Sequence, residues 1–344
     1  MTVTEARFLH LLYLIAGLKP KTRRAVTWTT FLVFLQLLGL TFNLLILIRN
    51  PQNTASCILY TAITWPVNSF TSIFHLSLNL TTKYQQKISL LYQTSNIEVI
   101  LLPNNIKNQR RSFTYLLVVL TSFSCYDVYV WYAKHGLTIV TMHKFIMYIS
   151  SLISSIMTFE YVTHVQILKL RLSLFKTHKV SKDLLAFRKV YDHLYNSCKL
   201  INLIYGSQIL LKMLSCILDL ISNTYKTILF LNELIKDKNK KSIISYNIGY
   251  MAHSLLALLT MVIITLTCQA ASDESVTLMY NIQKLLGRED LTHSDMMQLQ
   301  LFSKQIVRNK IILTVNGICV LNLSLMYSII GVVTTYIIVL IQIK

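Results

Sequence analysis

The sequence predicts an all-α membrane protein of seven transmembrane helices, with long cytoplasmic helical extensions and the N-terminus inside. Three observations carry that prediction. Hydrophobic residues make up 53% of the 344 and charged residues only 14%, with mean hydropathy +0.52, whereas soluble chains carry about a quarter charged residues. Apolar windows of about 20 residues, enough to cross a ~30 Å hydrocarbon core as a helix, recur along the whole length. Basic residues also gather in alternate connections, as orientation in a bilayer requires.

Residues 1–24 read as a cytoplasmic N-terminal segment. Its apolar stretch, 8–18, is short, follows Glu5 and has basic residues on its C-terminal side, which argues for an interfacial helix and against a cleavable signal peptide. The spans themselves read as 25–48, 55–78, 113–131, 138–158, 209–231, 243–267 and 311–341. The first four lie within 25–165 with an inner loop at 79–112. The rest of the chain divides into a helical extension at 166–208, spans five and six within 209–272, anchor helices at 273–310 and the last helix within 311–344.

The formal net charge of +19 invites a nucleic-acid reading that the distribution of charges defeats. Arg23 and Arg24, Lys83 and Lys87, Arg110 and Arg111, the series from Lys169 to Lys199, and Lys304, Arg308 and Lys310 all fall on one side. The first two connections on the other side hold only Arg49 and Lys134. This asymmetry puts the N-terminus in the cytoplasm and, after seven spans, the C-terminus outside. Lys236, Lys238, Lys240 and Lys241 dissent, but inverting the chain would export a far larger basic set. Cys125, Cys216, Cys268 and Cys319 fall inside spans and Cys198 in a cytoplasmic segment, so no extracellular disulfide framework is expected. The glycosylation matches at Asn79 and Asn322 lie at a cytoplasmic helix end and inside a span, where neither is expected to be used.

Connections differ in kind on the two sides. Outer turns are short: Arg49 to Asn53 joins the first two spans, and Gly136 stops the helix before the fourth. Pro66, near the middle of span two, is expected to kink it beside Trp65. The inner stretch 166–204 has neither Pro nor Gly, and Leu168, Leu172, Phe175, Leu184, Leu185, Phe187, Tyr191, Leu194 and Tyr195 recur mostly three and four residues apart. A second such stretch, 275–310, is broken by Gly287 and offers Thr292 as an N-cap. Helices leaving the membrane with apolar stripes need a partner, so these are expected to pack as a cytoplasmic bundle between subunits, with Leu194 and Leu299 at the interface.

On the last helix, Ser324, Ser328, Thr335 and Gln342 recur near whole turns, with Gly317 and Gly331 on the same face. Two readings are open: small and hydroxyl residues for helix packing and back-bonding to the i−4 carbonyl, or a water-facing stripe that several copies present to a pore. A glutamine at the end of so apolar a segment needs protein or water, because lipid does not satisfy its amide.

Thr335-Tyr336, five apolar residues and Gln342 resemble the C-terminal signature of insect gustatory receptors, as does the run from Gly317 through Leu321, Asn322, Leu325 and Ile329. The preceding amphipathic stretch with Gly287, Asp290, Leu299 and Phe302 is similarly placed. The resemblance implies tetrameric, ligand-gated, non-selective cation channels in the plasma membrane, opened by a small-molecule tastant. Each last helix would line the pore, with Gln342 and Ile343 constricting it near the outer mouth and Val339, Thr335 and Ser328 on the same path. Ile343 stands where the family usually has Phe. Sugar-tuned members tend to have Glu directly after the Thr-Tyr pair; Ile337 here points to a bitter or other plant secondary compound.

A tastant is expected among the outer halves of spans two to six, where aromatics stand beside hydrogen-bonding groups: Trp65, Asn68, Tyr126, Asp127, Tyr129, His143, Tyr148, Asn223, Tyr250 and His253. Trp and Tyr also belt the interface of any membrane protein, so the expectation is regional. Among intramembrane charges, Asp127 and Asp219 would border the pocket while Glu160 and Lys212 pair across helices.

Other classes fit less well. A G-protein-coupled receptor has its N-terminus outside, and this last span holds no Pro; a transporter would show repeats and broken helices, against 8 Gly and 4 Pro in the chain. No enzyme constellation is present, and no metal or cofactor is expected. Insect odorant receptors share the architecture but usually lack the full Thr-Tyr-x5-Gln run. Expected partners are lipid, tastant and further subunits, in a homo- or heterotetramer.

Overall fold

Three long helices carry most of the fold, and their lengths exceed a bilayer. In the computed structural model, residues 23–49, 65–81, 86–87, 139–177, 184–236, 241–287 and 292–342 are described, with isolated positions between 118 and 136. In chain order these form α1 (Arg23–Arg49), α2 (Trp65–Leu80), α3 (Ile139–Thr177), α4 (Leu184–Lys236), α5 (Lys241–Leu286), α6 (His293–Arg308), β1 (Thr314–Val315), β2 (Cys319–Val320) and α7 (Leu323–Gln342). The described positions from Val118 to Ala133 are helical, in keeping with the third span. Parts of α3, α4, α5 and α7 are long and apolar enough to cross a membrane, and Val26–Leu38 of α1 is a shorter apolar helix.

With 53 residues, α4 extends roughly 80 Å, more than twice the ~30 Å hydrocarbon core. A helix of that length runs beyond the core, and the sequence expects 184–208 to be the part outside it. The 39 residues of α3 and the 46 of α5 overrun the bilayer in the same way. Local signals set several ends. Gly136, at φ +65°, donates to the Tyr132 carbonyl at 2.8 Å in the left-handed conformation that closes a helix. α5 gives way to a turn at Gly287, and Thr292 caps α6 by accepting from Asp295 N. Asp295 in its first turn and Arg308 in its last complement the helix dipole.

The core runs through the extensions as well as the spans. Leu299, Phe302 and Ile306 turn one stripe of α6 inward onto α4 and α5, and Tyr191 meets Phe302 edge to face with centroids 5.8 Å apart. Leu194 and Leu299 are each only 2% exposed in the single chain. The inner stripes therefore close against each other within one subunit, correcting the expectation that these two residues form the contact between subunits; exposed Leu185, Val190, Met297, Leu301 and Val307 lie on the outside of this bundle. Burial pushes both the Tyr191 phenol and the Cys198 thiol up to about 12, so both stay neutral in the extension.

The largest departure from expectation is at 311–322. An apolar helix is expected from Ile311, but the chain makes a two-stranded hairpin, pairing Thr314 with Val320 and Val315 with Cys319, and α7 begins only at Leu323. Asn316 and Gly317 have φ of 51° and 71°, and Ile318 N donates to the Val315 carbonyl at 2.9 Å. Positive φ at both central residues gives the mirror-image turn that Asn-Gly favours, because its twist matches that of paired strands. Gly317 is thus in a turn rather than on the face shared by Ser328 and Gln342. Asn322, expected inside a span, accepts from Leu325 N at 3.0 Å and caps α7.

Several expectations fall outside the described residues: the interfacial helix at 8–18, the short turn after Arg49, Asp127, the basic residues Lys238 and Lys240, and Ile343. Pro66 lies in the first described turn of α2.

Candidate functional site

Two regions gather the residues singled out in the sequence. The first is a cavity of about 60 Å³ between α3, α4 and α5, lined by Met147, Tyr148, Ser151, Ser155, Lys212, Cys216, Asp219, Asn223, His253, Leu256, Ala257 and Thr260. Tyr148, Asn223 and His253 come together here, and Asp219 borders the same space. The Tyr148 hydroxyl lies 3.4 Å from His253 Nε2, and the two rings stack with centroids 5.6 Å apart. Either group can donate, depending on the tautomer.

Lys212 also faces the cavity, where the sequence suggested pairing across helices with Glu160. Seven residues separate Lys212 from Asp219, two turns or roughly 10 Å along one face. Opposite charges thus stand along one wall, with Asn223, only 3% exposed, one further turn along. Charges at membrane depth persist where partners or a wet cavity solvate them, and this lining provides several. A void of this size and polarity has room for water or a small hydrogen-bonding solute. Beyond Asn223, Lys226 Nζ lies 4.9 Å above the Tyr250 ring.

Tyr126, Tyr129 and Tyr250 are not among the described residues that line this cavity. Tyr126 and Tyr129 are exposed in the single chain. Trp65 and Asn68 lie on α2 and His143 on α3, with their side chains outside the described residues. Ser151, Ser155 and Thr260, which do line the cavity, lacked any signal beyond being polar residues inside apolar spans.

The second region is α7. Met326, Ile329 and Val333 are its buried face, packed toward α4 and α5. At about 100° per residue, Ser328, Thr335 and Gln342 fall within ~40° of one another and roughly opposite that buried face. All three are exposed, as is Val339 beside them. Ser328 donates to the Ser324 carbonyl at 3.1 Å and Thr335 to the Gly331 carbonyl at 2.9 Å. Each hydroxyl proton is satisfied within the helix, leaving oxygen lone pairs to face outward. Only 17% of α7's apolar window is buried within the chain, against 72% for the window in α3.

The profile of the family described as 7tm Chemosensory receptor matches residues 7–344. The chain belongs to that family. No curated protein matches it significantly. Among solved structures it resembles the insect olfactory receptor OR5 from Machilis hrabei, with a TM-score of 0.68 at 12% identity over 99% of this chain and 98% of that one. The same receptor in complex with eugenol gives a TM-score of 0.66 at 14% identity, over the same shares of the two chains. At such identities the likeness is one of fold, and it establishes the expected class: an all-α, seven-helix, multi-pass membrane protein. The family is one of chemosensory receptors and not of enzymes.

Proposed function

We propose that this chemosensory receptor is a gustatory receptor, each chain being one subunit of a tetrameric, ligand-gated, non-selective cation channel in the plasma membrane. The observation that carries the reading is the orientation of α7. Its buried residues Met326, Ile329 and Val333 turn toward its own bundle, while Ser328, Thr335 and Gln342 lie on the opposite, exposed side. A polar stripe on a membrane helix needs water or protein opposite, because lipid offers no hydrogen bonds. Four copies around an axis give each stripe a wet lumen, and Val339, Gln342 and the following Ile343 narrow its outer mouth.

The resemblance of Thr335, Tyr336 and Gln342 to the gustatory signature favours taste over smell, and Ile337 favours a bitter or other plant secondary compound over a sugar. The ligand site is the α3–α4–α5 cavity, where Tyr148, Asn223, Asp219 and His253 converge, with Tyr250 beside it. The same reading extends the site toward Trp65, Asn68, Tyr126, Asp127, Tyr129 and His143, the other aromatic and polar residues singled out in the sequence. An odorant-receptor-type channel is the second reading, favoured by the likeness to OR5. Calcium imaging of cells expressing this chain alone, against alkaloids, glycosides, sugars and volatile odorants, separates the two. A calcium rise to alkaloids or glycosides without G-protein activity is expected, and responses confined to volatiles would replace taste with smell.

A further inference from the structure

We propose that Gln269 is the positioning residue through which α5 holds and moves the start of α7, so that the cavity and the proposed pore helix are mechanically joined. This rests on the channel reading above for its consequence, but not for its geometry. Gln269 Oε1 accepts from Leu323 N at 2.9 Å, across 54 residues of chain. Leu323 is the first residue of α7, and its N–H is one of the donors that a helix start leaves without an intrahelical partner. Asn322 satisfies Leu325 N from within the sequence. The link at Leu323 comes instead from another helix.

That other helix also walls the cavity. His253, Leu256, Ala257 and Thr260 of α5 line it, and from Thr260 to Gln269 the helix runs nine residues, about 13 Å, with no Gly or Pro to absorb a displacement. The neighbouring Cys268 is fully buried, 3.0 Å from the Tyr161 hydroxyl on α3, which keeps this stretch of α5 packed. A shift of α5 at the cavity therefore reaches the start of α7 as a shift of the hydrogen-bond acceptor.

α4 holds the preceding segment in the same manner. Asn202 donates to the Ile312 carbonyl at 2.9 Å and accepts from Thr314 N at 3.2 Å, and Ser207 is hydrogen-bonded to the Asn316 side chain. The hairpin is fixed to α4 and the helix start to α5. Relative motion of the two cavity-lining helices must then change the angle at which α7 leaves the hairpin.

The test uses the full-length receptor with Gln269→Leu, which keeps the bulk and removes the acceptor, and Gln269→Glu, which retains it beside a favourable helix dipole. Hydrogen–deuterium exchange reads the Leu323 amide, and patch recording reads ligand-independent current per surface receptor. Gln269→Leu is expected to speed exchange about fivefold, the effect of losing one ordinary hydrogen bond, and to change the current by about twofold or more, with Gln269→Glu restoring both. Unchanged exchange in Gln269→Leu overturns the link. Faster exchange with unchanged current overturns the coupling, provided that Ile343→Ala in the same cells still alters current. If neither the original receptor nor Ile343→Ala conducts despite normal surface expression, the channel reading fails instead, and the exchange rates alone decide the link.

Discussion

At Gly206 a single missing side chain determines how closely the hairpin approaches α4. A Cβ there would stand 2.6 Å from Asn316 Oδ1 and 3.0 Å from the Asn316 amide nitrogen. The amide is backbone in a constrained turn, so Gly206→Ala pushes the turn outward at a cost of about 1–3 kcal/mol. A lower Tm of the purified receptor is expected; an unchanged Tm would mean that the turn yields freely. Ile343, which follows α7 in the sequence, is the proposed apolar member of the constriction. An apolar ring closes a pore by excluding water, so Ile343→Ser widens and wets it and should raise ligand-independent current. Unchanged basal current per surface receptor would place Ile343 outside the constriction. Gly136 and Thr292 were legible in the sequence because each acts on its own turn of helix. Gln269 was not legible, because its partner lies 54 residues away and nothing local marks it.

Among the elements, α6 and the hairpin show where pattern reading succeeds and where it fails. The stripe of α6 was legible in the three- and four-residue spacing of Leu299, Phe302 and Ile306. What covers it was not, since an amphipathic face shows that a partner exists without naming it. The partner is the subunit's own α4 and α5. Leu299→Asp should therefore leave an unpaired charge in the core, costing about 3–5 kcal/mol and reducing folded receptor of any size. Exposed Leu301→Asp should spare the folded chain and shift the proposed tetramer toward smaller species. Size-exclusion profiles of fluorescent fusions distinguish the two, and the opposite pattern would return Leu299 to the interface between subunits. In the hairpin, Asn316-Gly317 is a strong turn signal that the surrounding apolar run outweighed. Ile311, Leu313, Val315 and Leu321 are buried, so that run reflects burial of an extended segment and not passage through lipid.

For the whole molecule, the seven-helix class was legible because composition and window length follow from the bilayer itself. The α3–α4–α5 cavity was only partly so: Tyr148, Asn223 and His253 meet, yet their meeting depends on how α3, α4 and α5 cross. Orientation follows from charge, and epitope tags on intact cells should stain only at the C-terminus; staining of an N-terminal tag without permeabilisation would invert the topology. On the proposed reading, the stripe opposite α7's buried face lines an ion path. Single-channel recording of Gln342→Ala and Gln342→Arg tests it most directly. Removing the amide should alter conductance or ion preference, and four arginines around the axis should suppress cation flux through like-charge repulsion. Normal conductance and selectivity in both variants would remove α7's polar face from the pore.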